Sequence, residues 1–244
     1  MISNPLTGAY YLLKGFRLIT KPSIRKYVMI PLSINIIFFT ALIWWGMSAL
    51  FLFFDEQLLA LPSWLSWLEW LLWPVLTLAT LLLVFYSFSV VGNIIASPFN
   101  SLLAEAVEHH LTGEKSPEMS WKETVKTILP SVMNEFRKLF YFICWAVPFL
   151  LLFFIPVIQV IAPFLWLAFG AWMLMLQYGD YPMANHNISV SEQRKKLAAN
   201  RMTSLSFGGA TMLMTLIPFL NFLVIPSAVA GATVLWVERI KNQE

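Results

Sequence analysis

Charged side chains are scarce in this chain of 244 residues. Asp, Glu, Lys and Arg make up 12% of the sequence, whereas soluble domains carry about 25%. Apolar residues make up 59%, and the net charge is only +3. So small a net charge gives no reason to expect binding to nucleic acid. The composition excludes an ordinary soluble domain and indicates an integral membrane protein embedded in a lipid bilayer.

The residues on which catalytic and metal sites commonly depend are also few. Cys144 is the only cysteine, so the chain forms no internal disulfide. No glycine-rich loop ends in Lys-Ser or Lys-Thr, which argues against ATP hydrolysis by this chain. His109 and His110 are adjacent and therefore point to different faces of a helix. We predict no metal, no cofactor and no enzyme activity, with a membrane-embedded enzyme using His109, His110 and Glu105 as a rival hypothesis.

Long apolar runs are abundant. Residues 27–54 and 70–104 carry no charge, and each is longer than the roughly 20 helical residues that cross a bilayer. The charges between these runs are all acidic, which places the connecting loop away from the cytoplasm. We predict a first span over 23–54 and a long second helix over 64–112. Gly113 follows as the C′ residue that ends this helix.

Two later apolar regions are interrupted by proline. Residues 139–179 contain Ile155-Pro156 followed by Gln159, and residues 202–237 contain Ile217-Pro218 followed by Asn221. The half from 204 to 217 is too short to cross a bilayer, so each region is expected to form a helical hairpin that penetrates part of the membrane. Gln159 and Asn221 would cap the hairpin tips, line a polar path, or do both.

Amphipathic segments precede these regions. Residues 4–20 are predicted to form a surface helix with Leu6, Tyr10 and Leu13 on its apolar face. Its basic stripe contains Lys14, Arg17 and Lys21, and would form one patch with Arg25 if the helix extends to the start of the first span. Two capping boxes predict further helices. One begins at Ser120 with Glu123 as its partner. The other begins at Ser189 with Glu192 as its partner, and the helix that follows carries several basic side chains.

The predicted fold is all-α and integral to the membrane. It has two long transmembrane helices, two partly penetrating helical hairpins and amphipathic surface helices, within one membrane domain over 1–244. The predicted segments are the amphipathic helix 4–20, the first span 23–54, the second helix 64–112, an amphipathic helix with the first hairpin over 120–179, and the basic helix with the second hairpin over 189–240.

The segment from Lys21 to Lys26 breaks a rule of helix design. Pro22 and Ser23 mark the start of a helix, where acidic residues are preferred, yet the first turn carries Arg25 and Lys26. These cations either anchor the helix end at the membrane surface or hold an anion. Helix N-termini together with Arg are suited to a tetrahedral oxyanion, and anionic lipid would meet the same chemistry.

The chain closely resembles the bacterial CysZ sulfate transporter family over nearly its whole length. The resemblance rests on Pro22 to Lys26, Ala96 to Glu105, Gln177 to Pro182 and the two Ile-Pro turns. It implies a multi-pass protein of the bacterial inner membrane that assembles as a homo-oligomer. The implied activity is channel-like, ATP-independent import of sulfate for cysteine biosynthesis.

The resemblance also implies a sulfate site at the head of the first span. The family's basic pair corresponds to Arg25 and Lys26, although family members have Arg at the second position. Our hypothesis is that sulfate binds the N–H groups of Ser23, Ile24 and Arg25 and the side chains of Arg25 and Lys26. Candidate pathway residues are Asn100, Gln159 and Asn221. The alternative function is a membrane-shaping or anionic-lipid-binding scaffold without a pore.

Overall fold

The computed structural model describes residues 6–58, 68–113, 121–217 and 220–241. These residues are almost entirely helical, and no strand occurs among them, which confirms the all-α fold. The helices are α1 (Thr7–Ile19), α2 (Pro22–Leu58), α3 (Glu69–Thr112), α4 (Trp121–Leu151), α5 (Ala162–Asn185), α6 (Val190–Ala199), α7 (Arg201–Thr215) and α8 (Asn221–Leu235). A π-helical turn, Trp236–Ile240, continues α8.

The chain forms two compact units. One contains residues 29–96, which are the greater parts of α2 and α3. Within it, Gly46 of α2 faces the side chains of Thr80 and Val84 of α3. The other unit contains residues 1–28 and 97–244 and holds the main hydrophobic core, built around α1, α5, α7 and α8.

Several helices have the length and apolar character of membrane spans. The segments Pro22–Phe53, Phe136–Phe154 and Leu223–Ile240 meet both criteria. Only 6% of the most apolar window of the first segment is buried in the protein, against 72% for Leu223–Ile240. The apolar surface of the first segment is thus available to lipid, whereas α8 is enclosed by other helices.

Helix α1 buries one face within the protein and leaves its predicted apolar face exposed. Leu6, Tyr10 and Leu13, which we assigned to its apolar face, are at least half exposed. The buried face instead contains Gly8, Tyr11, Leu12, Gly15, Leu18 and Ile19. The two glycines of the buried face let the backbone of α1 approach the backbones of α7 and α8. That the exposed apolar face lies on the membrane surface stays a prediction.

Both proline-interrupted regions turn where the sequence predicts. Helix α4 ends at Leu151, two turns of 3-10 helix follow, and α5 begins at Ala162. The second region turns between Thr215 and Asn221, although Pro218 itself lies outside the described residues. The depth at which these hairpins enter the membrane stays a prediction.

Candidate functional site

The start of α2 is oriented by two buried side chains. Ile24 and Tyr27 are 0% and 1% exposed and belong to the main core. Successive residues of a helix point in directions about a quarter-turn apart or more, so Ser23, Arg25 and Lys26 lie on the other faces and are exposed. Burial of the apolar residues therefore holds the basic pair at the surface of the protein.

The backbone of this turn is partly occupied. The carbonyl oxygen of Lys21 accepts hydrogen bonds from the N–H groups of Ile24, at 3.0 Å, and Arg25, at 2.9 Å. Of the three N–H groups assigned to sulfate, two thus already have a backbone partner in this conformation. Ser23 stands in the first turn of α2, where N–H groups have no partner within the helix. The Ser23 N–H and the two basic side chains are the groups that this turn presents to a ligand.

The two cations differ in their surroundings. Within the described part of the chain, the Arg25 guanidinium makes no ion pair or hydrogen bond. The Lys26 ammonium lies 5.0 Å from the centroid of the Tyr27 ring, a cation–π contact. No acidic residue stands in the first turn of α2. Positive charge here is therefore not neutralised locally, which suits the turn to an anion.

Lys21 and Lys14 have partners of their own. The Lys21 ammonium lies 2.8 Å from Nε2 of His110, at the end of α3. Lys14 pairs with Glu238 at 2.8 Å. These contacts separate both lysines from Arg25 and Lys26, so the predicted basic stripe is divided among different partners.

The histidines of the rival enzyme hypothesis also have separate partners. His109 lies 3.7 Å from Glu105, whereas His110 contacts Lys21. Adjacent helical positions thus point their rings toward different groups, as the sequence analysis argued. In the described ranges, no three His, Cys, Asp or Glu side chains come together as metal ligands.

The candidate pathway residues lie in different places. Asn100 is buried in α3, and its amide donates to the Tyr181 hydroxyl at 3.3 Å. Gln159 is exposed in the turn between α4 and α5, where its N–H donates to the carbonyl of Ile155. Tyr181 stands near the far end of α5, about 28 Å of helix from that turn, so Asn100 and Gln159 do not form one site. Asn221 begins α8, and its side chain lies outside the described set.

A buried ion pair was missed by the sequence analysis. Lys138 of α4 and Asp180 of α5 approach to 3.1 Å, with side chains 3% and 5% exposed. Gln193 of α6 donates to the same carboxylate at 2.8 Å. Asp180 lies inside the segment from Gln177 to Pro182, which carries part of the family resemblance. That resemblance was the feature of the sequence that could have drawn attention to Asp180.

A second missed cluster is centred on Glu108. Its carboxylate accepts from His186 at 2.8 and 3.0 Å and from Lys241 at 2.6 Å. Burial alone would raise the pKa of Glu108, but the hydrogen bonds from Lys241 and His186 hold that pKa below its ordinary value of 4.5. The Lys241 ammonium takes the place that a cation would need, so this cluster supports packing rather than metal binding.

Comparison with known proteins agrees with these features. The profile of the family described as sulfate transporter CysZ/etoposide-induced protein 2.4 matches residues 11–226. A protein of Pectobacterium atrosepticum named sulfate transporter CysZ is 42% identical over 97% of this chain and 86% of its own length. A protein of the same name from Pseudomonas syringae pv. tomato is 45% identical over 97% of this chain and 94% of its own. The match to the profile and to these full-length relatives shows that the chain belongs to the sulfate transporter CysZ/etoposide-induced protein 2.4 family.

Proposed function

We propose that this protein carries sulfate across the bacterial inner membrane, supplying sulfate for assimilation into cysteine. The relatives named sulfate transporter CysZ, which match nearly the whole chain, support this function. The observation in the molecule that carries the proposal is the exposed Arg25 and Lys26 pair at the start of α2, with no acidic residue in its turn. Transport rather than catalysis is the proposed role.

Sulfate capture follows from the chemistry of this turn. The Arg25 guanidinium offers two parallel N–H donors that match two oxygens of a tetrahedral oxyanion. Lys26 adds a second positive charge, and the Ser23 N–H adds a backbone donor at the positive end of the helix dipole. The N–H groups of Ile24 and Arg25 would join only if they released the Lys21 carbonyl oxygen.

Captured sulfate then needs a polar route. A dianion does not cross hydrocarbon unaided, so the basic pair has to pass it to a path lined by polar groups. We assign Asn100 of α3 to such a position, together with Gln159 and Asn221, which lie where the interrupted helices bring backbone and amide groups to the apolar regions. We propose channel-like transport that is independent of ATP, since the sequence has no glycine-rich ATP-binding loop. We also propose a homo-oligomer, which light scattering of the purified protein measures.

The decisive experiment is uptake of labelled sulfate by proteoliposomes. Wild-type protein is expected to take up sulfate faster than empty liposomes. The Arg25→Ala, Lys26→Ala double variant is expected to lose uptake at low sulfate by about tenfold or more, because charge-assisted hydrogen bonds are removed. The matched control is Lys195→Ala with Arg201→Ala, which removes two exposed cations elsewhere and should leave uptake at the wild-type rate.

Three results would argue against this proposal or a part of it. Wild-type uptake equal to that of empty liposomes would remove the transport function and leave the lipid-binding scaffold. Normal uptake by the Arg25 and Lys26 double variant would remove the site but not the function. Equal losses in the double variant and its charge-matched control would mean that net surface charge, rather than this turn, attracts the anion.

A further inference from the structure

The Lys138–Asp180 ion pair lies at an unusual place for two charges. Lys138 is near the head of the apolar segment Phe136–Phe154, and both side chains are almost fully buried. Removing two charges from water costs several kcal/mol per ion in proteins, and well-packed apolar residues would often serve as well for stability. Ionisable groups in such segments commonly mark the route of an ion.

Polar contacts connect this pair with side chains of neighbouring helices. The Lys138 ammonium lies 5.5 Å from the centroid of the Tyr181 ring. The Tyr181 hydroxyl accepts from the Asn100 amide of α3, and Gln193 of α6 donates to Asp180. The Lys138 ammonium and the Gln193 amide therefore both contact the Asp180 carboxylate, and the Tyr181 ring lies beside the ammonium.

The two oxygens of Asp180 have different partners. Oδ2 faces Lys138 at 3.1 Å, while Oδ1 accepts from the Gln193 amide at 2.8 Å. The carboxylate could release Lys138 and still keep its hydrogen bond to Gln193. Gln193 is 1% exposed, and its Oε1 atom is a buried acceptor with no hydrogen-bond partner. Because sulfate oxygens only accept hydrogen bonds, this acceptor would not bind sulfate, and the role of Gln193 is to hold Asp180 in place.

We propose that Lys138 is a second sulfate-contacting residue and that Asp180 occupies it when no sulfate is present. A carboxylate and a sulfate present similar oxygens to an ammonium, and sulfate carries the greater charge. Sulfate would displace Oδ2 of Asp180 from the Lys138 ammonium, while Oδ1 keeps its hydrogen bond from Gln193. This inference rests on the proposed transport function and adds an internal binding step after capture at Arg25 and Lys26.

The test is the dependence of uptake on sulfate concentration in proteoliposomes. Asp180→Asn removes the competing charge and keeps the shape, so the half-saturating sulfate concentration should fall about tenfold. Lys138→Met removes the cation and should raise that concentration about tenfold. The matched control is Glu238→Gln, which breaks the exposed pair with Lys14 and should leave half-saturation unchanged.

The double variant Lys138→Met, Asp180→Asn separates transport from packing. The double variant buries no charge at this site. It should therefore fold even if a single variant fails to fold because one buried charge is left unpaired. We expect its half-saturating concentration to stay about tenfold above the wild-type value. Recovery of the wild-type value in the double variant, or an unchanged value in Asp180→Asn, would mean that the pair only holds helices together.

The same measurements distinguish this inference from the proposed function. Wild-type uptake that depends on Arg25 and Lys26, combined with no change on altering Lys138 or Asp180, overturns the second contact alone. Absence of wild-type uptake overturns both.

Discussion

The ammonium of Lys241 donates to the carboxylate of Glu108 at 2.6 Å and joins the end of α3 to the segment after α8. His186, which follows α5, donates to the same carboxylate. Its ring also packs against the Trp236 ring, with centroids 5.7 Å apart. One buried acidic side chain thereby fixes three segments that are remote in sequence.

We predict that Glu108→Gln destabilises the protein at neutral pH by about 1–3 kcal/mol, since charged hydrogen bonds are lost at a mostly buried site. Because the folded pKa of Glu108 lies below its unfolded value of 4.5, the stabilisation is complete above that value and is lost as the pH falls through the folded pKa. Thermal unfolding in detergent from pH 7 to well below pH 4.5 measures this. The apparent Tm of the wild type should fall more steeply than that of the variant.

Glu238→Gln is the control for this prediction. This change breaks the ion pair between Glu238 and Lys14, whose side chains are 38% and 30% exposed. Exposed ion pairs contribute about 0–1 kcal/mol to the free energy of unfolding. Parallel pH profiles for the wild type and Glu108→Gln would show that another group causes the acid sensitivity.

Local signals predicted much of the fold. Gly113 ends α3 with φ of 81°, and its N–H donates to the carbonyl of His109, as expected of a C′ glycine. The Ser189 hydroxyl caps α6 by accepting from the Glu192 N–H. These features depend on residues within one turn of each other, so the sequence alone specifies them.

Contacts between distant residues were not predictable in this way. Lys241 is 133 positions from Glu108, and Asn100 is 81 positions from its partner Tyr181. Their pairing depends on how the helices assemble, which no local pattern encodes. The exposed cations at 25 and 26 were recognised because they break a rule of helix starts, whereas Lys138 follows directly after Arg137 and resembled an ordinary helix-end anchor.

Helix α1 gives a prediction about packing. A Cβ atom at Gly15 would overlap the backbone carbonyl of Ser227 and the backbone of Gly231. Gly15→Ala should therefore destabilise the protein by about 3 kcal/mol or more, since backbone atoms of α8 would have to move. Gly209 lies inside α7 with open space at its Cβ position, so Gly209→Ala should be neutral or stabilising by up to about 1 kcal/mol. Thermal unfolding of both variants checks this, and equal effects would contradict the close contact.

The first hairpin turn gives a prediction about backbone strain. Val157 has φ of 72° and ψ of −48°, close to the strained γ-turn region that β-branched residues avoid. Its side chain is 82% exposed, so replacing it removes little packing. Val157→Gly should stabilise the protein by about 1 kcal/mol. Val160→Gly, at an exposed position in the same turn with ordinary backbone angles, is the control and should not stabilise.

The basic pair gives a prediction about affinity, conditional on its role in sulfate capture. Lys26 is a point charge, whereas a guanidinium forms two parallel hydrogen bonds with an oxyanion. Lys26→Arg should therefore lower the sulfate dissociation constant several-fold, and Arg25→Lys should raise it about tenfold. Both variants keep the net charge, so calorimetric titration with sulfate separates donor geometry from charge.

The direction of the two changes decides how sulfate is held. Opposite effects of Lys26→Arg and Arg25→Lys would mean that guanidinium geometry contributes at each position. Indistinguishable affinities for the wild type and both variants would mean that the turn attracts sulfate by charge alone. Raising the salt concentration would then weaken binding by the wild type and both variants equally, because screening acts on charge and not on hydrogen-bond geometry.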